Sequence, residues 1–153
     1  MRGDNCPLCP DRVDQSPFWI RVGPLGASNL FLGKDQRYRG YCQLIFGRRH
    51  VTGIDKLTDE EYTTYMGDLR ATARALVEVC KPDHMNYECQ GNFVPHLHYN
   101  IIPRYRTDVR WRFPIQWGWK SREEYEAASV FVSDEEHAAL REQLRRALGI
   151  AEV

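Results

Sequence analysis

The chain has no apolar run approaching the ~20 residues that a membrane-spanning helix requires. Its first ten residues, MRGDNCPLCP, lack the apolar core of a signal peptide. It has no net charge, with 21 Lys and Arg against 21 Asp and Glu, so it offers neither a global basic field for nucleic acid nor an acidic tail. Neither internal repeats nor low-complexity segments are present. A disulfide framework is not needed, because a domain of 153 residues buries roughly 70% of the surface its unfolded chain exposes. The five cysteines are an odd number, and two of them stand as Cys6-Pro7-Leu8-Cys9. These absences predict a single domain over residues 1–153, without membrane or nucleic-acid partners. They place it in the cytoplasm, with reduced thiols and a candidate metal or redox pair at Cys6 and Cys9. The basic clusters Arg37-Tyr38-Arg39, Arg48-Arg49-His50 and Arg104-Tyr105-Arg106 are compatible with a bound phosphate, although each alone reads first as a solvated face.

What is present is an ordered series of short elements. Ser16–Gly23, Ser28–Gly33 and Tyr41–Phe46 read as strands, with a loop over Lys34–Gly40. Thr58-Asp59-Glu60-Glu61 is a capping box that opens a helix. Tyr62, Tyr65, Met66, Leu69, Ala73, Leu76 and Cys80 recur along that helix at helical spacing, and Lys81-Pro82-Asp83 stops it. His84–Gln90 and the stretch PHLHYNIIP (residues 95–103) read as a hairpin turned at Gly91-Asn92. An aromatic segment with Trp111, Trp117 and Trp119 follows, then a short helix from Ser121. A last helix opens at the capping box Ser133-Asp134-Glu135-Glu136 and runs to about Leu148. The order predicts an α+β domain, an antiparallel sheet with one long and one or two shorter helices packed on it.

Within PHLHYNIIP, alternate side chains share a face, so His96, His98 and Asn100 point one way and Leu97, Tyr99 and Ile101 point into a core. A solvated face usually carries Lys, Glu and Thr, so two imidazoles and an amide point to a site. Neutral imidazole is a good nucleophile toward phosphorus near pH 7, and the phosphoramidate it forms is labile enough to turn over. An amide beside it donates to a phosphoryl oxygen without adding a second titrating group.

The stretch GNFVPHLHYNIIPR resembles the signature of the histidine triad (HIT) superfamily. That signature is His-x-His-x-His followed by apolar residues and often Pro-Arg. Cys6-x-x-Cys9, GYCQLIFGRRH, LTDEE with its helix, Asn86 and PIQW follow in the family's order, so the resemblance spans roughly residues 5–117. It implies a HIT-like sheet and a homodimer joined edge to edge or through the first helix. It also implies a nucleotide hydrolase or nucleotidyltransferase in which His98 attacks the α-phosphorus of a nucleoside phosphoryl donor. Dinucleoside polyphosphates, nucleoside phosphoramidates and nucleotide sugars all fit such a nucleophile. Asn86 matches a polar residue near the ribose-phosphate region, Asn92 stands where the turn approaches phosphate, and Gly91 lets backbone come close. Ordinary turn and strand-end chemistry is the competing reading for these three.

The third histidine is absent, and Asn100 stands in its place. An amide keeps an oxygen contact but gives up no proton as an acid. Asn100 thus fits a transferase, a hydrolase limited to good leaving groups, or a nucleotide-binding regulatory protein with little turnover. A zinc-stabilised interaction module is a further class. The resemblance also supplies a metal set, because some relatives hold structural Zn²⁺ with Cys-x-x-Cys, a histidine after the third strand and the first triad histidine. Here these are Cys6, Cys9, His50 and His96, and with four protein ligands the zinc would do no chemistry. The competing reading has Cys6 and Cys9 as free thiols and His96 bonded to a carbonyl. Cys42, Cys80 and Cys89 read as buried fillers, and His84 and His137 as surface residues.

Overall fold

The structure, a computed structural model, describes residues 5–9, 12–108, 111–115 and 129–151. Five strands form one antiparallel sheet: β1 (Trp19–Pro24), β2 (Ser28–Gly33), β3 (Cys42–Phe46), β4 (His84–Glu88) and β5 (His98–Arg104), in the order β1-β2-β3-β5-β4. Two α-helices, α1 (Asp59–Cys80) and the shorter α2 (Asp134–Leu148), and two short 3-10 helices, Val13–Gln15 and Ile54–Lys56, complete the described fold. The α+β reading therefore holds.

Both capping boxes form as the sequence predicts. Thr58 accepts from the Glu61 amide while the Glu61 carboxylate accepts from the Thr58 amide, and Ser133 and Glu136 repeat the exchange at α2. At its far end α1 turns out through Lys81, left-handed at φ 49°, and Pro82 prevents its continuation.

The strand alternation divides the domain into two layers. Val22, Leu30, Leu32, Leu44 and Ile101 face the helices and pack with Tyr65 and Leu76 of α1 and Leu140 and Leu144 of α2. The Tyr65 hydroxyl donates to the Leu44 carbonyl at 2.9 Å, which satisfies the one polar atom of the largest core ring. On the opposite face Phe31 and Ile45 are covered by Cys6, Leu8, Cys9 and Val13 of the N-terminal segment. The candidate site residues His98 and Asn100 lie on this second face, opposite Ile45 and Gln43.

Several local expectations need correction. β1 begins at Trp19, not Ser16, since Pro17 has no amide for a ladder. β4 and β5 pair as expected, but they are not joined by a tight turn at Gly91-Asn92: β4 ends at Glu88 and β5 begins only at His98. Pro95 interrupts the donors before β5, and Leu97 bonds instead to Val51 and Phe46. Tyr62 is exposed, and the buried line of α1 includes Asp68, whose carboxylate takes the amides of Gly26 and Ala27 and the Ser28 hydroxyl. Cys42 and Cys80 are buried, whereas Cys89 is exposed. His137 is buried, one turn before Leu140, and donates to the Lys34 carbonyl at 3.0 Å. The helix expected from Ser121, and Trp117 and Trp119, lie outside the described residues.

Candidate functional site

His96 lies just before β5, fully buried. Its Nε2–H donates to the Phe46 carbonyl at 2.8 Å, leaving the Nδ1 lone pair to face the two thiols. Cys6 Sγ is 3.4 Å and Cys9 Sγ 3.8 Å from that Nδ1, and Cys9 Sγ is 3.6 Å from His50 Nδ1. One ligand atom from each of the four residues lies within 4.8 Å of every other. In a tetrahedron with Zn–S of 2.3 Å and Zn–N near 2.05 Å, the S···N edge is about 3.6 Å. The cluster thus has the size and the donor set of a Cys2His2 metal site. Burial holds the His96 pKa below its ordinary value, and His50 and His98 push the same way against the pull of the Phe46 carbonyl. A neutral imidazole, the form that ligates metal, is favoured. One ring nitrogen of His96 therefore bonds a carbonyl while the other faces the thiols.

His98 opens β5 opposite Ile45 of β3. Its Nδ1–H donates to the His96 carbonyl at 2.6 Å, so Nε2 keeps the lone pair. Burial lowers the His98 pKa against the effect of that bond, which favours the neutral ring. Two residues on, Asn100 pairs with Gln43 across the same strands. Its Oδ1 accepts from the Tyr41 hydroxyl at 2.9 Å and from Gln43 Nε2 at 3.2 Å.

His98 and Asn100 line a cavity of about 650 Å³ with Gln43, Tyr41, Asn92, Gln90, Pro7, Leu8, Arg12, Phe18 and Trp19. A smaller cavity of about 270 Å³ adjoins it through Pro17, Phe18, Trp19 and Tyr41 and extends to Asp35, Arg37, Tyr38 and Phe131. The combination of apolar walls with a few converging polar groups is that of a small-molecule site. In the smaller cavity burial raises the Asp35 pKa, but the Arg37 guanidinium and the Val130 and Arg37 amides outweigh it and hold the carboxyl below the usual range.

Of the residues singled out in the sequence, His98, Asn100 and Asn92 meet in the larger cavity, and Cys6, Cys9, His50 and His96 meet in the adjacent cluster. Asn86 and Gly91 are not among the cavity's lining residues. Asn86 accepts from Arg104 at 3.1 Å, and a Cβ on Gly91 would meet nothing nearer than the Thr52 carbonyl at 3.7 Å. Sequence reasoning missed Tyr41, Gln43 and the aromatic pair Phe18 and Trp19. The signal for Gln43 was available, since it is a lone amide in the fully buried strand CQLIF.

The HIT domain matches residues 22–107, more than half of the chain. A histidine triad protein from Bradyrhizobium japonicum is 28% identical, with a TM-score of 0.74 over 86% of this chain and 91% of that one. A histidine triad protein from Sinorhizobium meliloti shares the fold at 20% identity and a TM-score of 0.76, covering 95% of this chain and 99% of that one. A Zn-bound histidine triad family protein from Mycobacterium smegmatis does so at 20% identity and a TM-score of 0.63, covering 97% and 96%. No curated protein matches. The family match together with the β5 geometry assigns the chain to the histidine triad (HIT) family, with Asn100 at the position of the third triad histidine.

Proposed function

We propose that this is a nucleotide-binding HIT protein that holds a nucleoside phosphoryl group beside His98 and has little hydrolytic turnover. Asn100 carries the reading. Hydrolytic relatives have an ionisable imidazole at this position, but a carboxamide supplies hydrogen bonds and no acid proton. The cavity is large enough for a nucleotide and offers Asn92, Gln90, Gln43 and Arg12 as polar partners. Calorimetric titration with adenosine 5′-monophosphate tests the reading. Binding by wild type that weakens in His98→Ala supports it, and equal affinity in the two removes His98 from the ligand site.

The His98 ring itself favours a second reading, a nucleotide hydrolase or nucleotidyltransferase. With Nδ1–H bonded to His96, Nε2 is free to form an N–P bond to the α-phosphorus as the P–O bond to the leaving group breaks. The leaving group departs with its electron pair and, without an acid at position 100, must be stable unprotonated. Water or another acceptor then attacks phosphorus and the N–P bond breaks. The acceptor decides between hydrolysis and transfer.

Cys6, Cys9, His50 and His96 would hold a structural Zn²⁺, supported by their donor set, spacing and the fixed His96 tautomer. With four protein ligands the metal would leave no open position and would brace the cavity wall. Among the described residues no helix is long and apolar enough to cross a membrane. We place the protein in the reducing cytoplasm, where Cys6 and Cys9 stay reduced, and as a homodimer. A light-scattering mass of one chain would contradict the latter.

A further inference from the structure

We propose that Tyr41 and Gln43 are positioning residues that fix the polarity of the Asn100 carboxamide, so that its NH2 rather than its oxygen meets a phosphoryl group bound beside His98. The proposal rests on the nucleotide reading of the cavity. A carboxamide is nearly symmetric in shape, so only its hydrogen bonds decide which end faces a ligand. Gln43 stands opposite Asn100 in the β3–β5 register and donates from Nε2 at 3.2 Å. The Tyr41 hydroxyl donates to the same oxygen at the shorter distance of 2.9 Å. Two donors on one oxygen leave the nitrogen for the cavity, where a phosphoryl group offers only acceptors.

The scaffold behind Tyr41 holds it in place. Its ring meets the Trp19 ring edge-on at 5.4 Å. Its chain enters through Gly40 at φ 88°, where a Cβ would lie 2.6 Å from Cys80 Sγ, so only glycine fits. Gln43 is buried, and its Oε1 has no partner among the described residues. Turning Asn100 alone would set its NH2 against the Gln43 NH2, donor to donor. Turning both amides together would keep the bonding pattern but aim the Asn100 oxygen at the ligand, an arrangement that an acceptor-only phosphoryl group disfavours.

The test compares adenosine 5′-monophosphate with adenosine on wild type, Tyr41→Phe and Asn100→Asp. Tyr41→Phe keeps the ring and removes one neutral hydrogen bond. It should weaken the monophosphate about three- to tenfold more than it weakens adenosine. Asn100→Asp retains acceptors for Tyr41 and Gln43 but turns a carboxylate oxygen to the phosphoryl group. It should weaken the monophosphate by tenfold or more relative to its effect on adenosine. Unchanged monophosphate affinity in Asn100→Asp overturns the proposal. If wild type binds neither ligand, the nucleotide reading fails, and the ¹⁵N side-chain spectrum of the free protein decides the positioning role by itself. One sharp Asn100 NH2 pair in wild type that broadens or doubles in Tyr41→Phe supports it, and an unaltered pair overturns it.

Discussion

The His98 ring donates through Nδ1 to the carbonyl oxygen of His96 at 2.6 Å. The same His96 points its own Nδ1 at Cys6 and Cys9. One residue therefore belongs to the cysteine cluster by its side chain and to the His98 site by its backbone. The two histidines should accordingly respond differently to substitution. His96→Ala should lose zinc and thermal stability. Removing a ligand bound at a thousandfold excess over its Kd costs about 4 kcal/mol, which is roughly 8–16 °C in Tm for a domain of this size. His98→Ala should keep zinc content and move Tm only slightly. Metal analysis and calorimetry on protein purified under reducing conditions check this. Less than about half an equivalent of zinc in wild type would remove the metal from the account.

Metal removal should also weaken nucleotide binding, without any contact between the two ligands. Pro7 and Leu8, the residues between the two cysteines, line the larger cavity. Releasing Cys6 and Cys9 frees that wall. A chelated sample should bind adenosine 5′-monophosphate more weakly and regain affinity on adding Zn²⁺. By linkage, saturating nucleotide should tighten zinc by the same factor.

Asn100→His should raise hydrolytic turnover. It places an ionisable imidazole at the third triad position, and general acid–base catalysis contributes typically about 10²–10⁴-fold. The substitution also removes the carboxamide that Tyr41 and Gln43 hold, so the gain should sit toward the lower end. Steady-state hydrolysis of a dinucleoside polyphosphate measures it, and no gain would mean that the third triad position does not limit the rate.

The elements that local rules govern were legible in the sequence. Two capping boxes start α1 and α2 where Thr58 and Ser133 predict, and the alternation at Leu97, His98, Tyr99 and Asn100 sorts core from cavity as expected. The cluster of Cys6, Cys9, His50 and His96 was legible only through family resemblance, because residues 6 and 96 meet through the sheet and not through local spacing. Features set by long-range pairing escaped. His137 reads as a surface residue, yet the fold buries it and its ring donates to the Lys34 carbonyl. Tyr41 reads as the first residue of a strand, and only the fold brings its hydroxyl to Asn100.

Acid should loosen the wall of the smaller cavity through Asp35. Its folded pKa is depressed below the unfolded value, near 3.9. A depressed carboxylate adds stability above the unfolded pKa and loses it as pH falls through the folded one. Asp35→Asn should therefore lower Tm at neutral pH and converge on wild type as pH drops below about 4. A difference in Tm that stays constant down to low pH would show that the Asp35 charge contributes nothing.

The most direct test of the account is a rapid-quench time course of wild-type protein with a dinucleoside polyphosphate. The quench is alkaline because a phosphoramidate is acid-labile, and both released nucleotide and intact-protein mass are followed. The account predicts that hydrolysis stays slow after any first event. If His98 reacts, at most about one equivalent is released before the slow phase, and a nucleotidyl adduct appears on wild type but not on His98→Ala. Rapid multiple turnover from the moment of mixing, undiminished by Asn100 at the third triad position, would contradict it.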